Sequence, residues 1–145
     1  EYYKDFDKWN EKKKLIDKDL LNVYCYEGEI WWTALGINIG TEQNGKNELF
    51  ERPVMIIYKV NKNTIWILPL SSRIINNKYR YNIPSFSTQV VMSQIKTIST
   101  KRLLRKITKI SNEDFNNILD KLVEFIIRKK RNPAKAGNLG GISLL

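Results

Sequence analysis

Two apolar, β-prone runs, residues 52–60 and 64–70, are separated only by Asn61-Lys62-Asn63. A link that short cannot carry the crossover that parallel neighbours need, so the runs must fold back as an antiparallel hairpin. Asn at turn positions tolerates positive φ, which suits the same reading. The hairpin belongs to a longer stretch, residues 28–72, that reads as three short strands. The first covers residues 29–35 and carries adjacent Trp31 and Trp32, which must point to opposite faces of a sheet; burial is expected for both. Arg52 stands just before the second strand and Ser71 just after the third. Strand ends that face loops are where a rigid scaffold presents its chemistry.

The flanking sequence narrows the architecture. Phe6, Trp9, Ile16, Leu20 and Val23 recur at roughly helical spacing, which predicts an amphipathic helix over residues 5–23 that docks on the body. Its balanced charge argues against a membrane-surface helix. Residues 36–51 form a long loop with Gly36, Gly40 and Gly45, whose spacing and setting do not match a nucleotide-binding fingerprint. Loops of this length are often functional or mobile. Residues 71–87 read as a polar, Asn-rich loop in which Tyr79 and Tyr81 flank Arg80; such a trio can stack bases or can mark a partly buried strand edge. Residues 88–98 read as one strand. Residues 101–106 concentrate four positive charges around Leu103-Leu104 and read as a short helical turn before a last strand near 107–110. Ser111 is an N-cap, with Glu113 and Asp114 in the first turn. Phe115, Ile118, Leu119, Leu122, Val123, Ile126 and Ile127 then keep a strict helical pattern whose stripe is core or interface. The Gly-rich remainder reads as a flexible tail. The expected domain plan is an N-terminal helix (1–23), one β-rich domain (24–131) and a tail (132–145). Strands early, a helix late and no βαβ rhythm predict a mainly β, α+β fold: a small antiparallel barrel with helices outside it.

Composition excludes several chemistries. Histidine is absent and Cys25 is the only cysteine, so a Ser-His-Asp mechanism, an intrachain disulfide and a multi-cysteine zinc site are all ruled out. No metal or other cofactor is expected. No apolar run approaches a membrane span and no signal-peptide pattern is present, so a cytoplasmic location is expected. The formal charge is +10, and residues 24–111 alone carry thirteen Lys or Arg against five Glu, whereas residues 1–23 are neutral. A basic strand-rich body fits a polyanionic partner such as nucleic acid; on charge alone, Lys that merely solvates a surface fits equally.

Several short pieces occur in a particular order: Gly28-Glu29-Ile30-Trp31, Glu42-Gln43, Arg52-Pro53-Val54, Pro69-Leu70-Ser71-Ser72, Ser93-Gln94-Ile95-Lys96-Thr97-Ile98 and Lys101-Arg102-Leu103. Together they resemble the MazF/PemK family of toxins from toxin–antitoxin pairs, over residues 26–125. Three departures stand out. Ser71 replaces the usual Thr and keeps its hydroxyl; Lys96 replaces an Arg and loses the bidentate fork. Val91 and Ser93 stand where some members carry Arg and Asp, so that strand supplies no carboxylate base.

The resemblance implies an SH3-like barrel homodimer that cleaves single-stranded RNA without a metal, leaving a 2′,3′-cyclic phosphate and a 5′-hydroxyl. It also implies an acidic antitoxin that silences the toxin, and a toxin–antitoxin complex that binds DNA. The surplus aromatics Trp31, Trp32 and Trp66 suit the dimer. Arg52 is expected to grip the phosphate and stabilise its developing charge, and Ser71 to donate one hydrogen bond to it; a surface ion pair of Arg52 with Glu51 or Glu48 is the blander reading. Glu42 is the candidate base. Gln43, Lys46, Ser72, Arg73, Arg80, Gln94, Lys96 and Arg102 are the expected RNA contacts, with Gln94 either reading a base edge or fixing the groove wall. The alternatives are a same-fold toxin that binds a protein target, of the gyrase-directed kind, and a non-catalytic nucleic-acid-binding barrel.

Overall fold

A computed structural model describes residues 3–21 and 23–130; the expected tail, 132–145, lies outside the described residues. Helix α1 (Phe6–Lys18) precedes strands β1 (Glu29–Ala34), β2 (Glu51–Lys59), β3 (Thr64–Ser71), β4 (Arg80–Asn82), β5 (Gln89–Val91), β6 (Lys96–Ser99) and β7 (Leu103–Lys109), and helix α2 (Asn112–Lys130) closes the order. The strands make one antiparallel sheet in the order β4-β5-β3-β2-β1-β7, and β6 pairs the first half of β3 while β5 pairs its end. With three neighbours on β3, the sheet curls on itself into the small barrel expected. Register shifts in β1–β7 and β2–β3 add to that curl.

The run Val54-Met55-Ile56-Ile57 explains why the middle of the sheet is dry on both faces. Met55 and Ile57 point into a core with Ile30, Leu68, Leu70 and Val90, which α2 covers through Ile118 and Phe115. Val54 and Ile56 point the other way, into a core with Cys25, Trp31, Leu35, Ile65, Ile67 and Ile98. Cys25 is fully buried. A third, smaller cluster joins Trp9 of α1 to Ala34, Ile37 and Phe50.

Several expected elements take a different form. Helix α1 stops at Lys18, and its stripe is narrower than the sequence pattern: Trp9 is buried, whereas Phe6 is half-exposed and Leu20, beyond the helix, is 92% exposed. Asp5 starts the helix by accepting from Lys8 N at 3.0 Å. The turn after β2 has no positive φ, and Asn61 Oδ1 accepts from Asn63 N at 2.8 Å; among the described non-glycine residues the positive angles fall at Asn47 and Phe50 instead. The supposed loop 71–87 contains β4. The single strand expected over 88–98 is broken by a 3-10 turn (Met92–Gln94) into β5 and β6. The charged run 101–106 is not a helical turn before a late strand: a 3-10 turn (Thr100–Arg102) leads directly into β7 at Leu103. Trp31 is buried but Trp32 is only partly so.

The start of α2 is as expected. Ser111 Oγ accepts from Asp114 N at 3.1 Å, and Tyr81 donates to Asp114 Oδ1 at 2.8 Å while Tyr79 packs against Phe125 with centroids 5.1 Å apart. Both tyrosines therefore fasten α2 to the sheet, the structural one of their two readings. On the same helix Val123 and Ile126 are 52% and 73% exposed, so the apolar stripe is wider than the buried face.

Candidate nucleic-acid interface

The 36–50 segment is built against the ends of β1 and β2. Gly36 N donates to Phe50 O at 3.0 Å, Gly45 N to Gly36 O at 2.7 Å, and Lys46 and Glu51 exchange backbone bonds at 2.8 Å. Gly45 has no room for a side chain, since a Cβ would lie 1.8 Å from Phe50 O. From below, Asn38 Nδ2 reaches Leu35 O and Gln43 O, and Asn44 Oδ1 accepts from Asn38 N at 2.6 Å. From the side, Gln94 Oε1 accepts from Gln43 N at 3.3 Å and its Nε2 donates to Thr41 O at 3.1 Å. The long loop, which the sequence leaves as functional or mobile, is a braced wall.

That wall borders three depressions that run into one another. The first, about 220 Å³, lies between Gln94, Lys96, Glu42 and Gln43. The second, about 360 Å³, is lined by residues 42–46 and Arg52. The third, about 370 Å³, passes Lys46 and Arg52 to reach Trp32, Pro53, Ser72, Phe86 and Ile107. Glu42 and Gln43 are shared by the first two, and Lys46 and Arg52 by the last two. The result is a trough with Lys96 at one end, Arg52 in the middle and an apolar bay at the other end.

Arg52 is the second residue of β2. Its Nε donates to Asn44 O at 2.5 Å and its Nη1 to Leu70 O at 3.0 Å, so the guanidinium spans from the braced wall to the end of β3. Glu51, weighed as its ion-pair partner, is buried and held bidentately by Arg105 at 2.9 and 3.1 Å. Ser71 is the last residue of β3; it is 8% exposed, and its Oγ accepts from Arg73 N at 3.2 Å. Ser72, not Ser71, lines the apolar bay. Burial, then the charge of Arg102, pulls the Lys96 pKa down, with Glu42 opposing; its Nζ donates to Asn38 Oδ1 at 3.4 Å.

The structure thus brings Glu42, Gln43, Lys46, Arg52, Ser72, Gln94 and Lys96 to one trough. Arg73 and Arg80 stand apart from it: Arg80 Nη1 donates to Arg73 O at 3.4 Å, and burial together with the Arg73 charge lowers the Arg80 pKa. Arg102 lies beside α1, donating to Ala34 O at 3.2 Å with its guanidinium 5.6 Å from the Trp9 ring. Sequence reasoning missed Asn38 and Asn44, which brace the wall, and Phe86 and Thr88, which line the bay; nothing in their local pattern marks them. Glu29 also takes on a defined task. It is buried, pairs with Lys106 at 2.7 Å, and accepts from Tyr26 N and Trp31 Nε1, so the first piece of the ordered set serves the fold. Among the described residues no group of three or more His, Cys, Asp or Glu is gathered to hold a metal ion, and no helix is long and apolar enough to cross a membrane.

A small barrel with a basic trough at its strand ends is a scaffold for gripping an extended anion. The family model of PemK-like, MazF-like toxins of type II toxin–antitoxin systems matches residues 26–126, and the chain belongs to that family. No curated protein matches the sequence. Among solved structures, the MazF of Deinococcus radiodurans superposes with a TM-score of 0.61 at 16% identity, covering 72% of this chain and 98% of that one. An endoribonuclease from a mycobacterial species, in complex with its cognate antitoxin, gives 0.56 at 14% identity, covering 70% and 93%. The MazE–MazF complex from Deinococcus radiodurans gives 0.57 at 17% identity, covering 72% and 97%. At these identities the likeness establishes the shared fold. Helix α1 lies outside the segment that the family model matches.

Proposed function

We propose that the chain is the toxin of a toxin–antitoxin pair and a metal-independent endoribonuclease acting on single-stranded RNA. The observation that carries this reading is Arg52, held at the centre of a basic trough by Asn44 O and Leu70 O. In the reaction, the 2′-hydroxyl attacks the adjacent phosphorus, the bond to the 5′-oxygen breaks, and the products are a 2′,3′-cyclic phosphate and a 5′-hydroxyl. Arg52 stabilises the charge that builds on the phosphorane oxygens. Ser71 stands between Leu70 and Ser72, which line the bay, and because its Oγ only accepts from Arg73 N it keeps a proton to donate to a phosphate oxygen. Glu42 at the trough wall takes the 2′-proton, solvent water protonates the departing 5′-oxygen as its bond to phosphorus breaks, and Lys46, Gln94 and Lys96 position the strand around the cut. An antitoxin with an acidic segment fits the same trough, in keeping with the antitoxin complexes of the structural neighbours. The same reading takes the protein as a homodimer, checked by its mass in light scattering.

The test is incubation with a long single-stranded RNA in EDTA. Defined cuts bearing cyclic phosphate ends are expected. Activity that vanishes in EDTA and returns only with a divalent ion overturns the metal-independent mechanism. A mobility shift without cuts makes the protein a binder, and neither effect makes it a protein-directed toxin.

A further inference from the structure

Residues 1–23 are neutral in sum, yet the fold sorts their charges. Trp9, Lys13, Ile16 and Asp17 fall on one side of α1 and face the 3-10 turn before β7, forming a cleft of about 410 Å³. Lys13 and Lys14 from the helix meet Lys101 and Arg102 from the turn, and among the described residues Asp17 is the only carboxylate that lines the cleft. Lys14 also pairs with Glu11 at 3.0 Å, but both side chains are largely exposed, so that contact offsets little. Lys101 Nζ donates to Asp17 O at 2.7 Å, which fixes the helix and the turn to each other. Arg102 forms the floor, half-buried against the Trp9 ring. Gathering four cations around one carboxylate costs stability through self-repulsion unless an anion relieves it.

The cleft is also connected to the trough. The charge of Arg102 acts on Lys96, which lines the first depression. Strand β6 links the two regions, since Lys96 at its start lines the first depression and Ser99 at its end lines the cleft. Among the described residues Trp9 is the only aromatic side chain in the cleft; it is 5% exposed and offers no free face for a base. Charge without a stacking platform suits a sugar-phosphate backbone rather than base reading.

We propose that α1 and the 3-10 turn form a second phosphate-backbone site, in which Lys13, Lys14 and Lys101 hold the RNA strand beyond the trough. The site builds on the reading of the trough as an RNA groove. It makes the chain grip a longer strand than the barrel alone does.

The experiment measures binding of the full chain to short and long 2′-O-methyl oligonucleotides, which lack the attacking hydroxyl, over a range of salt. Wild type is expected to bind the long probe more tightly and with a steeper salt slope. The double variant K13Q/K14Q should lose roughly 0.7 of slope per phosphate contact, about 1.4 in all, on the long probe. A fourfold rise in salt then costs wild type about sevenfold more affinity than it costs the variant. K8Q/K18Q removes the same charge from α1 outside the cleft and should leave the long-probe slope near that of wild type. Equal slopes for K13Q/K14Q and wild type, or equal losses in the two variants, overturn the proposal. So does a K13Q/K14Q variant that loses only a polyglutamate peptide, since the cleft would then serve an acidic protein segment. If wild type binds neither probe, it is the RNA-groove reading that fails.

Discussion

Removing the Trp9 side chain tests whether α1 holds the trough wall in place. Trp9 is 5% exposed and lies against Phe50 with centroids 5.4 Å apart. It fills the space over Gly36, where a Cβ would come within 2.1 Å of the indole. Truncating a buried Trp to Ala typically costs about 3–5 kcal/mol. Here the loss falls in a satellite cluster of four buried residues, separate from the two main cores. The cost should therefore appear as local opening of α1 and residues 36–50 rather than as global unfolding. Lys4 also ties the chain ahead of α1 to Asn38 O and Gly40 O, through a single ammonium group. Amide hydrogen exchange in Trp9→Ala should accelerate at Gly36, Gly45 and Lys46, whose backbone bonds define the wall. The ceiling is roughly a hundred- to several-thousand-fold, since 1.4 kcal/mol is a factor of ten. Amides of Met55 and Ile67 in the central strands should keep their wild-type protection. Uniform acceleration through β2 and β3 would refute the reasoning, because α1 would then belong to the cooperative core. Unchanged exchange at Gly36 and Gly45 would refute it from the other side, because the wall would stand without the helix.

Three further outcomes concern the site and its surroundings. Arg52→Ala should slow single-turnover cleavage by roughly a hundred- to thousand-fold, about 2.7–4 kcal/mol, while weakening RNA binding much less; Ser71→Ala should show the same pattern with a smaller loss, and a wild-type single-turnover rate in Arg52→Ala would remove it from the chemistry. Glu29 supplies the pH dependence. Burial pushes its pKa up, but hydrogen bonds from Lys106, Tyr26 N and Trp31 outweigh that and leave it below the ordinary value of 4.5. A carboxylate depressed in the folded state adds stability that is fully present above its unfolded pKa and is lost as pH falls through the folded one. Chemical denaturation at a series of pH values should show wild type losing stability below about pH 4.5, with Glu29→Gln losing less over that interval.

The parts of the fold that were legible in the sequence are those that local chemistry decides. The hairpin follows from three residues between two apolar runs, and the start of α2 follows from Ser111 and the acids after it. Other elements depend on partners far away. Strand β4 is Arg80-Tyr81-Asn82, which has no strand-like alternation and exists because it pairs with β5. The break at Met92–Gln94 carries no Gly or Pro to announce it. Leu103-Leu104 between charged pairs looks helical until Leu103 is seen opposite Thr33 of β1. Within the site, Arg52, Gln94 and Lys96 could be singled out because their ordered pieces resemble a family. Asn38 and Asn44 could not, because their value lies in amide bonds across a loop whose closure no local pattern specifies. Arg102 shows the same limit: its charge was legible, but its neighbours on α1 were not.

The lone cysteine gives this molecule a built-in clock. Cys25 sits on the segment that joins α1 to β1, is fully buried, and has its thiol pKa pushed up by burial, with Lys59 only partly opposing. A thiol in that position is inert as long as the core around Val54 and Ile65 stays shut, because only an exposed thiolate reacts at an appreciable rate. The pace at which a small alkylating reagent consumes it therefore reads the frequency with which the core around Cys25 opens. One chain carries one such site, so no engineered label is needed to time that motion in the intact protein.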